Sequence, residues 1–268
     1  MNLFDEIEKV KAQGYNEANA QAKLGQDIIL KAIYDSGMAR NATIKGGVVM
    51  RSISDNSRRA TQDLDLDFIR LSISDESIRV FISRLDCIEG LSINVVGKIQ
   101  ELNHQDYNGK RIHISIRDTE GTIIPLKMDI GVHNDLTLEQ EEYAFDVGFQ
   151  SDAVSLLINS PAQMITEKLK SLLRIGKGNT RYKDIFDIYY LSDIADKETL
   201  TNCIRKYIIE DNTLRTITNM EDIVSRLESI FGDDTYLKRV QASDKNWLGI
   251  SLGEVIDKDI SFFRSLSR

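Results

Sequence analysis

Three aspartates alternate with apolar residues in Asp63-Leu64-Asp65-Leu66-Asp67-Phe68. In an extended strand such residues divide between two faces, so the carboxylates share one side and Leu64, Leu66 and Phe68 the other. Same-face neighbours are about 6.6 Å apart, so the row repels itself unless water or cations neutralise it. Two of these oxygens can ligate a divalent cation. Mg²⁺ prefers carboxylates together with substrate phosphates, and phosphoryl transfer uses such ions to clamp the attacking and leaving oxygens. The solvated outer face of an ordinary strand looks the same in sequence.

Two neighbouring features favour the metal reading. Gly46-Gly47 lies upstream, after a short apolar segment from Ala42 to Lys45. Glycines there let backbone N–H groups approach phosphate oxygens, and a following helix start favours negative charge. Downstream, Lys127-Met-Asp129-Ile places an acid within an apolar strand, where an unpaired charge is costly. A turn and a solvent-facing strand end are the plainer readings of these two.

The elements that must position these residues can be read from periodicity and turn chemistry. The first forty residues are helical in pattern, with Asn16 as a cap, Ala20, Leu24, Ile28 and Ala32 at helical spacing, and Gly37 as a stop. Strands are expected over residues 42–45, from Asp63 onward, and over residues 92–102, 110–117 and 122–132, with a helix from Asp75 to about Asp86. Asn108-Gly109 is a hairpin turn signal. Ser160-Pro161 is a helix start, and a second helix is expected from about Arg181 to Leu191. The split is an α/β domain over residues 1–150, followed by a helical domain over 151–268.

Composition sets outer bounds. The 268 residues are 28% charged, with only two prolines, Pro125 and Pro161. The net charge of −8 argues against a chain coated for wrapping nucleic acid. Between residues 165 and 183, however, Lys168, Lys170, Arg174, Lys177, Arg181 and Lys183 face Glu167 alone, a basic stretch suited to a triphosphate or an RNA backbone. Lys183 and Asp187, four apart, can pair on an exposed helix face, whereas Asp184 and Asp187 on one face need a cation nearby. Cys87 and Cys203 form no motif and read as ordinary buried thiols. His104, His113 and His133 do not cluster at zinc-site spacing; His133, four residues after Asp129, reads as a strand-end histidine. P-loop and hydrolase-elbow motifs are missing. The N-terminus is no signal peptide and no apolar run reaches about 18 residues, so the expectation is cytoplasmic, without a membrane.

Taken together, Gly46-Gly47, then Arg59-Ala-Thr61-Gln-Asp63-Leu-Asp65, then Asp129 resembles the DNA polymerase beta-type nucleotidyltransferase core. That core pairs a Gly-Gly or Gly-Ser turn with Asp-x-Asp on the next strand and a third carboxylate nearby. The Arg-x-Ser/Thr-x-Asp-x-Asp form is more specifically similar to the AbiEii toxin family of type IV toxin–antitoxin and phage-abortive systems. Ile165-Thr-Glu167-Lys168-Leu169 and Arg181-Tyr-Lys183-Asp184-Ile-Phe-Asp187 are similar to that family's later motifs. The spacer from Gly47 to Asp63, 15 residues, is longer than in the simplest relatives of that core.

The resemblance implies an α/β (α+β) fold, a mixed sheet with flanking helices and then a helical domain that completes the nucleotide pocket. It implies that Gly46 and Gly47 hold the triphosphate, with Arg59 and Thr61 beside them, and that Asp63, Asp65 and Asp129 are catalytic and bind Mg²⁺ or Mn²⁺. Asp67 leaves open which pair holds the metal. Lys168 and Lys183 would contact the nucleotide, with Lys168 and Asp184 also catalytic. The implied activity is transfer of a nucleoside monophosphate from a nucleoside triphosphate to a transfer RNA 3′ end or other acceptor. The implied cognate antitoxin forms no stable complex. A protein hydroxyl or small-molecule acceptor, or a nucleotide-binding regulator without transfer, are the alternatives.

Overall fold

A computed structural model describes residues 1–102, 109–133 and 140–267. The chain divides into two compact units, residues 1–159 and 160–268. The division falls beyond residue 150 because a strand at Val154–Ile158 belongs to the first unit's sheet.

The first unit opens with helices α1 (Leu3–Ala12) and α2 (Glu17–Asp35). Asn16 caps α2 by accepting from the Asn19 N–H, and Gly37 follows its end at a φ of +73°. Strand β1 (Ala42–Lys45) runs straight into α3 (Gly46–Ser54), and β2 (Asp63–Phe68) follows a short 3-10 turn at Ser57–Arg59. Next come α4 (Asp75–Leu85), β3 (Leu91–Leu102), β4 (Gly109–Asp118), β5 (Ile123–Val132), β6 (Glu141–Phe145) and β7 (Val154–Ile158). The seven strands form one mixed sheet in the order β3-β4-β5-β2-β1-β7-β6. The pairs β2–β5 and β1–β7 are parallel, and the rest antiparallel. The fold is α/β with a mixed sheet, as the sequence implied.

Register assigns every side chain to a face. Leu64 and Leu66 pair with Met128 and Ile130, and Ile112, Ile114 and Ile116 pair with Met128, Leu126 and Ile124. All are buried, and each removes roughly 1.5–3 kcal/mol worth of apolar surface from water. Helix α2 lies on this face so closely that a Cβ at Gly25 would sit 3.1 Å from Ile124 Cγ2. The opposite face of the same strands carries Asp63, Asp65, Asp67, Lys127, Asp129 and Arg111.

Three details differ from the sequence reading. Gly109 is the first residue of β4 and pairs with Leu102, so it belongs to the ladder and not to a two-residue turn; Asn108 and His104 lie outside the described residues. Strands β6 and β7 were not anticipated. Cys87 is exposed, and only Cys203 is buried.

The second unit is helical: α5 (Pro161–Ile175), α6 (Lys183–Leu191), α7 (Lys197–Ile204), α8 (Met220–Phe231), α9 (Asp234–Ala242) and α10 (Leu252–Ser265). Ser160 and Gln163 form a reciprocal capping box with Pro161 in the first turn, which satisfies N–H groups that a helix start leaves without partners. Helix α6 begins at Lys183, two residues later than expected, after the 3-10 turn Gly176–Gly178.

Candidate active site on the charged face of the sheet

The glycine pair is fixed by two contacts. Gly46 has a φ of +68°, a left-handed conformation that costs other residues about 1 kcal/mol or more. A Cβ there would overlap Asp65 Oδ2 and lie 3.2 Å from its Cγ. At Gly47 a Cβ would come within 2.6 Å of Thr61 Cβ and Oγ1. The turn is therefore seated against Asp65 and Thr61. It opens α3, nine residues long, whose N-cap residue Lys45 makes no side-chain capping bond. First-turn N–H groups of this kind, with the helix dipole behind them, bind phosphate oxygens.

Each aspartate of β2 has a different surrounding. Asp67 is buried, with Lys45 Nζ 2.7 Å from its Oδ1. Asp63 is 2.8 Å from Lys127 Nζ, and both side chains remain about one-third exposed, at 36% and 32%. Asp65 lies between them, in register with Lys45 on one side and Asp129 on the other. Asp67 and Asp63 thus each face a lysine, the Asp67 pair buried and the Asp63 pair partly exposed.

Asp129 is clamped by Arg111 from β4, with Nε 2.8 Å from Oδ1 and Nη2 2.7 Å from Oδ2. Such planar bidentate pairs are among the strongest charge-assisted hydrogen bonds. The Asp129 hydrogen bonds hold the Arg111 guanidinium above its ordinary value, against the effect of burial, and the Asp63 and Asp65 charges add to this. Arg111 thus lies in the field of all three expected acids. Among the described residues, no three acid, histidine or cysteine side chains are already arranged as a metal cage. The donors nonetheless suit a hard cation: two carboxylates beside a glycine turn that only a Cβ-free residue can form.

Arg59 is buried and Thr61 half-buried against Gly47. His113 is exposed on β4, and His133 Nε2 lies 3.4 Å from Gln140 Nε2.

Within the helical unit, Lys168 on α5 gives its ammonium to Asp184 Oδ1 at 2.9 Å and Asp187 Oδ2 at 2.7 Å, both on α6. Arg181 Nε donates to Asp184 Oδ2 at 2.8 Å, and Trp247 Nε1 to Asp187 Oδ1 at 3.0 Å. Lys168, Asp184, Asp187 and Trp247 are all buried, and Lys183 is half-buried at the start of α6. Asp187 is therefore a core anchor and not an exposed helix ion-pair residue. The cation that the Asp184–Asp187 spacing required is Lys168. The basic stretch is largely matched by acids that lie outside it in sequence: Lys170 is 2.5 Å from Asp211 and Lys177 3.1 Å from Asp233. Four of its six cations, Lys168, Lys170, Lys177 and Arg181, thus face acids from outside residues 165–183.

Sequence reasoning missed Arg111, the pairing roles of Lys45 and Lys127, and the anchoring role of Trp247. Lys45 and Lys127 were visible as charges beside apolar strand residues, but Arg111 could be found only from the β4–β5 register.

A family model for the nucleotidyl transferase AbiEii toxin of type IV toxin–antitoxin systems matches residues 28–251. The chain belongs to that family. One solved structure similar to it is an antigenic nucleotidyltransferase-like protein from Paracoccidioides brasiliensis, 16% identical, covering 80% of this chain and 93% of that one with a TM-score of 0.44. No curated protein matches the chain significantly. Among the described residues, no helix is long and apolar enough to cross a membrane.

Proposed function

We propose that the charged face carries out metal-dependent nucleotidyl transfer, moving a nucleoside monophosphate from a nucleoside triphosphate to an acceptor hydroxyl. The observation that supports this reading is the seating of Gly46 against Asp65, which would bring a phosphate held by the turn beside a carboxylate able to ligate a metal. Membership of a nucleotidyl transferase toxin family supports it.

In this reading the N–H groups opening α3 bind the triphosphate, and Thr61 fixes the turn's position. Asp63 and Asp65 would hold Mg²⁺ or Mn²⁺, which supplies charge stabilisation at the α-phosphate and the departing pyrophosphate. To hold the ion Asp63 would have to give up its contact with Lys127, and the pair is about one-third exposed. The acceptor oxygen forms a bond to the α-phosphorus, the α–β bridging bond breaks, and pyrophosphate leaves with its electron pair. Asp129 would take the acceptor proton, which requires one of its two Arg111 hydrogen bonds to open. A transfer RNA 3′ end is the acceptor that the family resemblance favours, and a cognate antitoxin is the expected partner.

The test is incubation with each α-labelled nucleoside triphosphate, Mg²⁺, and total cell RNA and protein. Labelled RNA, abolished by Asp63→Ala, is the expected result. Label on protein would move the acceptor, and no label with any of the four triphosphates would refute transfer.

A further inference from the structure

Helix α2 carries a buried polar chain on its route across the apolar face. Gln26 Nε2 donates to the backbone carbonyls of Thr61 at 3.0 Å and Asp63 at 3.2 Å. Its Oε1 accepts from Arg51 Nη1. Arg51, on α3, also places Nη2 3.0 Å from Asp27 Oδ1, and Lys23 Nζ lies 2.6 Å from Asp27 Oδ2. Gln26, Asp27 and Arg51 are all buried. Both N–H bonds and the carbonyl of the Gln26 amide are used, so it cannot turn over without breaking three bonds.

This chain links two elements that nucleotidyl transfer must keep in register. Arg51 lies one turn into the helix opened by Gly46-Gly47, and Thr61 to Asp63 is the backbone entering the acid row. Gln26 bonds to both. Outer partners that orient metal-ligating side chains commonly govern metal affinity by 10- to 100-fold, and Gln26 holds the backbone that carries one such side chain. We propose that Gln26, held by Arg51, is a positioning residue that sets the Asp63 carboxylate relative to the phosphate-binding turn. The inference rests on the metal–nucleotide reading of the charged face.

The test compares the wild-type chain with Gln26→Met, Asp63→Asn and Ile82→Ala, a core change in α4. Mn²⁺ binding is followed by electron paramagnetic resonance with a non-hydrolysable nucleoside triphosphate, alongside transfer kinetics and melting temperature. Gln26→Met should weaken Mn²⁺ binding about tenfold or more and lower kcat while leaving the nucleotide KM within about threefold. Ile82→Ala should lower the melting temperature without weakening Mn²⁺ binding. Arg51→Lys keeps a cation for Asp27 but lacks the planar second donor, and should shift Mn²⁺ binding in the same direction by a smaller factor. It keeps the inference open to refutation if Gln26→Met does not fold. Wild-type Mn²⁺ affinity in Gln26→Met or, should that variant not fold, in Arg51→Lys overturns the positioning role when Asp63→Asn has lost the ion. An equal loss in Ile82→Ala also overturns it, by making the effect one of general stability. If Asp63→Asn binds Mn²⁺ like the wild type, the metal reading itself falls, and this inference with it.

Discussion

Replacing Lys168 by methionine separates two roles for that lysine. A lysine reserved for phosphate could be removed with little effect on folding and a large effect on triphosphate binding. In the structure its ammonium lies between Asp184 and Asp187, with side-chain exposures of 7%, 7% and 0%. Were the pairs exposed, each would contribute only about 0.2–1 kcal/mol. Buried, removing one partner strands charge in the core and costs about 3–5 kcal/mol. At a urea slope of about 2 kcal/mol per molar, this is a midpoint lower by about 2 M. The single tryptophan, Trp247, donates to Asp187 Oδ1, so its fluorescence reports unfolding from inside the cluster. Adding Asp184→Asn and Asp187→Asn to Lys168→Met should recover part of the loss, because the acids are neutralised together with the base. A Lys168→Met chain within about 0.5 kcal/mol of the wild type, with an unshifted Trp247 spectrum, would refute the reasoning.

Gly46→Ala should abolish Mg²⁺-dependent transfer, whereas Gly37→Ala, with similar positive φ but nothing within 4 Å of its added Cβ, should carry only a backbone cost of about 1 kcal/mol; labelling and thermal melts of both check this. Arg111→Met removes the cation paired with Asp129 and should tighten Mn²⁺ binding, by about tenfold, with some loss of stability at pH 7; titration followed by paramagnetic resonance reads it. Asp259, in the buried stripe of α10, is pushed well above its ordinary 3.8 by burial, which the nearby Lys258 charge only partly opposes. A raised folded value means its contribution to stability is complete below about pH 4 and is lost as pH rises toward that folded value. Asp259→Asn should therefore flatten that slope and stabilise the protein at neutral pH, measured by urea unfolding from pH 4 to 8.

The features written locally in the chain were readable before folding. Alternation placed Asp63, Asp65 and Asp67 on one face, and Asn16, Ser160 and Pro161 marked helix starts through their capping chemistry. The short runs that became β6 and β7 carry too few residues for periodicity to separate strand from helix. The partners of the acids were not readable, because Lys45, Lys127 and Arg111 reach them only through strand register. The basic stretch misled for the same reason: Asp184, Asp187, Asp211 and Asp233 meet its cations in space and lie outside it in sequence.

Strand β1 has a consequence for how the molecule forms. It pairs with β2 on one side, but its other neighbour, β7, arrives more than a hundred residues later, with Thr43 opposite Leu157 and Ile44 opposite Ile158. The β2–β5 pair likewise joins segments some sixty residues apart. Parallel pairings over such separations must close long loops before they gain any contact, which slows folding. A chain emerging from the ribosome has displayed all three acids expected to bind metal by Asp129, while β1, which leads into the glycine turn, still presents an uncovered edge. Such edges pair with other chains, so synthesis that stalls between Asp129 and Val154 should yield an aggregation-prone fragment that lacks the completed sheet.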